Sequence, residues 1–103
     1  MKKKRLYEKQ VKAGIEFLDQ IRPEWEDLID IEVLDMKNCH CCILGQLYDH
    51  YWNATAELSF TNIRADELGF TLLIPFSSAI TMFPVLTEEW KLQIQKKRKG
   101  GDA

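Results

Sequence analysis

The strongest constraint on the fold is a stripe of apolar residues at helical spacing in the middle of the chain. Ile43, Leu44, Leu47, Tyr48, Tyr51, Trp52, Thr55 and Leu58 recur at three- and four-residue intervals, which sets them on one broad helix face. With Asn38 as its cap, the spacing predicts a helix over about 39–57. So wide a face has to be covered by other elements and carries most of the core. Gly45 inside that helix costs stability, so its use implies a neighbouring backbone at close approach, in this fold or across a dimer. A chain of 103 residues has room for one domain and one modest core.

Val11, Ile15, Leu18 and Ile21, extended backwards by Leu6 or Tyr7, mark a second amphipathic helix over about 4–21, ended by Pro23. Its Gly14 weakens it by about 1 kcal/mol relative to Ala unless another chain packs closely there. Pro23 to Ile29 reads as a short helical turn with Glu24, Glu26 and Asp27 near its positive end. Ile31 to Asp35 is a short strand or an extended linker. Ala65 to Gly69 is one helical turn closed by a left-handed glycine. Phe70 to Ile74 is the best strand candidate, stopped by Pro75. Residues 76–85, apolar and Ser-containing and closed by Pro84, are ambiguous. Thr87 then caps a final helix with Glu88 and Glu89 in its first turn; Leu86, Trp90 and Ile94 are its buried stripe, and Lys96 to Lys99 sit at its negative end. The expected architecture is a mainly α single domain over 1–103, with α+β open: three main helices plus a short strand or extended segment. The basic ends, about 1–5 and 96–103, are expected to be flexible.

Charge is distributed unevenly. Lys2, Lys3, Lys4, Arg5, Lys9 and Lys12 make the first twelve residues basic, and Lys91, Lys96, Lys97, Arg98 and Lys99 do the same for the last thirteen. Between them only Arg22, Lys37 and Arg64 oppose 14 acids. Eight of those acids fall in residues 16–35: Glu16, Asp19, Glu24, Glu26, Asp27, Asp30, Glu32 and Asp35. Such asymmetry governs association rather than fold. The bland reading is a solvated acidic face partly neutralised by the protein's own ends. The sharper one is a patch, with Glu16, Asp19, Glu24, Glu26, Asp27 and Asp30 at its centre, that meets a basic protein surface. Direct binding of DNA or RNA through the terminal lysines is disfavoured, because the acidic middle repels phosphates. No apolar run approaches the roughly 20 residues of a membrane helix, and no signal-peptide stretch follows the first basic residues. A cytoplasmic protein is expected.

Cys39-His40-Cys41-Cys42 places three thiols and an imidazole in four residues. Three cysteines cannot all pair, and a structural zinc needs about four ligands at stereotyped spacings. Cys39, Cys41 and His40 are the nearest to a ligand set, but no second pair follows. On a continuous helix His50 stands about 12 Å from Cys42. Adjacent helical residues also point about 100° apart, so His40 is poorly placed to activate Cys41. No Ser/His/Asp set, Gly-rich phosphate loop or paired-carboxylate motif is present. The chain is read as a non-enzyme without a cofactor. Tyr48, Tyr51 and Trp52 form an aromatic ledge that, with Gln46 and Arg22 or Arg64 nearby, could stack a base; core packing is the commoner use of helix-spaced aromatics. Gln46 is equally suited to bonding a buried backbone group.

Cys41-Cys42-Ile43-Leu44-Gly45-Gln46-Leu47-Tyr48-Asp49-His50-Tyr51-Trp52 resembles the central motif of small bacteriophage and prophage proteins. Leu34-Asp35-Met36, Leu68-Gly69-Phe70 and Leu86-Thr87-Glu88-Glu89-Trp90 match patterns flanking that motif, in the right order across most of 11–92. The basic ends are longer here, and the apolar 70–85 segment departs from the pattern. The resemblance implies a setting, a phage in a bacterial host cell, rather than an activity. Two functions remain: a counter-defence inhibitor whose acidic segment docks on a basic, nucleic-acid-binding host protein, and a nucleotide-sequestering protein using Gln46, Tyr48, Tyr51 and Trp52 at an oligomer interface. A homo-oligomer stays open.

Overall fold

Each helix starts and stops where local chemistry satisfies its free backbone groups. The structure is a computed structural model and describes residues 5–100. Expectations for residue 4 of the first helix, for Lys2 to Lys4 and for the tail beyond Gly100 lie outside the described residues. Helix α1 runs Glu8–Ile21 and buries Val11, Gly14 and Leu18. It ends where the Arg22 amide bonds the Leu18 carbonyl at 2.8 Å, directly before Pro23, which disfavours α geometry at the preceding residue. A 3₁₀ turn over Trp25–Leu28 follows, as the acidic Pro23–Ile29 reading anticipates.

The central stripe folds into two helices instead of one. The Asn38 side chain accepts from the amides of His40 and Cys41 at 2.8 and 3.0 Å, so it caps a turn over 38–42. Regular helix begins only at α2, Ile43–Tyr48, where the Cys42 sulfur accepts from the Gly45 amide at 3.2 Å. Asp49 then adopts left-handed φ 77°, which ends the helix. His50 returns to extended geometry, and its Nδ1 accepts from the Trp52 amide at 3.0 Å to open α3, Tyr51–Leu58. The Tyr51 amide closes the fold-back onto the Cys39 carbonyl at 2.8 Å. Gly45 is the reason this fits: a Cβ there would stand 2.2 Å from the Cys39 carbonyl oxygen. The close neighbour is therefore this chain's own turn.

Helix α4, Asn62–Glu67, is capped by the Thr61 hydroxyl and followed by Gly69 at φ +73°, as expected for that glycine. Residues 71–75 adopt no regular element, and no strand forms among the described residues. The other strand candidate, 31–35, is occupied by a turn over 31–33, so Phe70 to Ile74 has no partner strand. The Asp66 carboxylate instead accepts from the Leu73 amide at 2.8 Å. Residues 76–85 and the final helix are one element, α5, Phe76–Arg98, with Pro84 inside it. The missing Pro84 N–H deprives the Ile80 carbonyl of its helical partner, at an exposed residue of the helix. Thr87 is accordingly no cap. Its hydroxyl accepts from the Met36 amide and donates to the Phe83 carbonyl, both at 2.9 Å. Lys96 to Arg98, placed in a flexible end by the sequence reading, form the last turn of α5.

A chain of rings crosses the core. Phe17 meets Phe60 at 5.2 Å, Phe60 stacks on Phe70, Phe70 on Trp90 at 5.6 Å, and Trp90 meets the edge of Trp25 at 6.0 Å. Trp90 is wholly buried and donates its indole N–H to the Gly69 carbonyl at 2.7 Å. The α4–α5 turn thereby lies against α1, where a Cβ on Gly14 would come within 2.1 Å of the Leu68 carbonyl oxygen.

Candidate functional site

The acidic segment splits into two groups. Asp19 accepts the Trp25 indole N–H at 2.8 Å and stands 3.3 Å from the Lys97 ammonium, which also lies 3.9 Å from Glu26. Arg98 donates to the backbone carbonyls of Glu26 and Ile29. Two residues of the C-terminal basic cluster thus fold back on the acidic face, as the bland reading requires. These half-buried pairs contribute about 1 kcal/mol or less each; their effect is mainly to use up charge. Glu16, Glu24, Asp27 and Asp30 remain exposed and make no ion pair among the described residues, as do the neighbouring Glu32 and Asp35.

The aromatic ledge also divides. Gln46 is spent internally: its side chain accepts from the Asp30 amide at 2.7 Å and donates to the carbonyls of Asp30 and Cys41. Arg22 lies over the Tyr48 ring at 5.0 Å and donates to the Leu47 carbonyl at 2.9 Å, whereas Arg64 pairs with Glu67. Tyr51 and Trp52 line a separate cleft of about 260 Å³ with Cys39, Cys42, Phe70, Leu73 and Phe83, and Lys37 is its one charged lining residue. The Tyr51 hydroxyl is sealed from solvent without a bonded partner. Burial raises its phenol above the ordinary range, the Thr71 side chain opposes that from a contact outside good hydrogen-bond geometry, and the thiols of Cys42 and Cys39 add to it. Periodicity could group these aromatics but could not show the break at Asp49, which parts Tyr48 from Tyr51.

Of the three cysteines, Cys42 serves the backbone. Cys42 is buried, and desolvation pushes its thiol up from 9.0 to about 11 despite the Gly45 amide bonded to its sulfur. That is the opposite of an activated nucleophile. The break at Asp49 also brings His50 back beside His40, with rings 4.7 Å apart. His40 bonds the Asp49 carbonyl through Nδ1 at 2.9 Å. Among the described residues no group of three or more His, Cys, Asp or Glu is placed to hold a metal ion. No described helix is long and apolar enough to cross a membrane.

Sequence reasoning missed one polar cluster altogether. Glu89, read as a first-turn acid, is 5% exposed; it accepts from Gln93 at 2.6 Å and pairs with Arg5 at 3.0 Å. Its position one residue before Trp90 on a buried stripe was the available signal. No family model, curated protein or solved structure matches the chain.

Proposed function

We infer that the chain is a non-enzymatic binding protein of phage type, a counter-defence inhibitor that docks its acidic face on a basic, nucleic-acid-binding protein in the host cytoplasm. The observation that carries this reading is the surplus on that face: after Lys97 has taken Asp19 and Glu26, the carboxylates of Glu16, Glu24, Asp27 and Asp30 are still exposed and unpaired among the described residues. Unneutralised like charges on a surface favour a partner of opposite charge and speed its encounter. The test is capture from bacterial lysate with wild-type and Glu24→Lys/Asp27→Lys/Asp30→Lys baits at low and high salt. Basic nucleic-acid-binding proteins retained only by the wild type at low salt support it. Equal capture by both baits at both salts rules it out. The reversed residues are exposed and sit outside the core, but the Asp30 carboxylate accepts from the Glu32 amide at 2.9 Å, so unchanged circular dichroism of the variant is the control for its fold.

A second reading, nucleotide sequestration, is favoured by the stacking of Arg22 on Tyr48 and by the cleft at Tyr51 and Trp52. The two sites lie on either side of the helix break, so a single base cannot use all four residues named for it. This reading predicts that adenine nucleotides perturb Trp52 fluorescence, with no effect of the charge reversals.

A further inference from the structure

No charged residue occurs between Glu67 and Glu88. Part of this stretch is core, with Leu68, Phe70, Ala79 and Leu86 buried, but Leu73, Phe76 and Ile80 are 53%, 82% and 63% exposed. Phe76, Ile80 and Phe83 recur at i, i+4 and i+7 on α5 and so share a face. Phe83 and Leu73 in turn line the cleft of about 260 Å³, together with the exposed Trp52. One apolar surface therefore runs from the cleft over its rim and along the first two turns of α5. It ends at Phe76, about 10 Å along the helix from Phe83. A continuous apolar surface of this kind marks an interaction site.

We propose that this surface joins two copies of the chain about a two-fold axis, with Phe76 of each copy entering the cleft of the other. The chain carries both halves of such a contact, a projecting ring and an open cleft, which is what a self-complementary two-fold interface needs. Size permits it, since a cavity of about 150 Å³ already holds a benzene ring. Charge selects a second copy over a charged partner. The cleft itself offers Lys37 alone to pair with, the Asp66 carboxylate at its edge is held by the Leu73 amide, and two largely neutral faces meet without the repulsion that the acidic middle of the chain would impose elsewhere. Area sets the strength: Trp52, Leu73, Phe76 and Ile80 leave roughly 500 Å² per copy to bury, against about 800 Å² per partner in a stable complex. The dimer is reversible, forming at micromolar concentration. It is independent of the acidic face.

Sedimentation velocity over about 1 to 500 μM tests this directly. The wild type moves from the 12.1 kDa chain mass towards twice that value. Phe76→Asp and Ile80→Asp stay at the single-chain mass throughout, and their unchanged helical circular dichroism separates loss of association from loss of fold. Ile63→Asp, equally exposed on α4, follows the wild type. A wild type that remains single at the highest concentration overturns the proposal. So does dimerisation that survives both α5 substitutions, or that Ile63→Asp abolishes as well.

Discussion

Two glycines and one cysteine show how single residues fix this fold. Alanine is the better helix former by about 1 kcal/mol, so propensity alone says that Gly14→Ala and Gly45→Ala stabilise. The added Cβ would sit 2.1 and 2.2 Å from backbone oxygens of Leu68 and Cys39, and backbone cannot swing aside as a side-chain tip does. Each substitution is expected to destabilise by about 2–3 kcal/mol in urea titrations, the cost of overpacking exceeding the propensity gain. Cys42 gives a pH prediction. Its thiol is held up at about 11 in the folded chain, against 9.0 ordinarily. A raised acid contributes stability in full below pH 9, and that contribution is lost as pH rises from 9 through 11. Tyr7 and Tyr51, both raised from 10.0 chiefly by burial, push the same way at higher pH. Urea unfolding is therefore expected to weaken from about pH 9 upwards, and Cys42→Ser to flatten the first part of that decline. Cys42→Val deletes the acceptor of the buried Gly45 amide and should cost about 1–3 kcal/mol, more than Cys42→Ser, which keeps one.

At the scale of elements, the sequence was legible wherever periodicity and burial agree. Val11 and Leu18 of α1, Ile43, Leu44, Leu47 and Tyr51 of α2 and α3, and Leu86, Trp90 and Ile94 of α5 occupy the core that the apolar spacing predicts, whereas Ile21 and Trp52, on the same stripes, face outward and Ala54, off the stripe, is buried. The left-handed glycine at Gly69 was equally readable, because that conformation has a residue signature. Asp49 was not: an aspartate at φ 77° splits the central helix without any glycine to announce it. Phe70 to Ile74 has the β-branched and aromatic residues of a strand but lacks a neighbour, and strand formation depends on a partner as much as on composition. Pro84 misled in the other direction, since it stands within a helix, on a stretch whose neighbour Ile80 is exposed. Pro84→Ala restores that N–H and removes the ring, so it should stabilise the chain by about 1–3 kcal/mol, seen as a higher thermal midpoint. A lower midpoint would show that Pro84 shapes α5 for packing that Ala cannot support.

For the whole molecule, the sequence showed the charge asymmetry but not its partition. Linear order gives no sign that Lys97 reaches Asp19 and Glu26, or that Arg98 bonds the Glu26 and Ile29 carbonyls, because these contacts span 69 to 78 residues. Folding turns an apparently free cationic end into a partial neutraliser of the acidic face and leaves Glu16, Glu24, Asp27 and Asp30 as its outward charge. Gln46, proposed from sequence as a ligand contact, instead braces the Asp30 loop against α2. The reciprocal Phe76 contact would double the acidic faces per particle, and joining two such faces raises avidity for a partner that offers two basic sites. The affinity of the chain for a captured basic host protein, measured by biolayer interferometry at about 50 and 500 mM salt, tests the central claim most directly. The acidic-docking account predicts that binding weakens at least tenfold between these salts, and that Glu24→Lys/Asp27→Lys/Asp30→Lys abolishes it at both. Affinity unchanged by salt and by the triple reversal would contradict it.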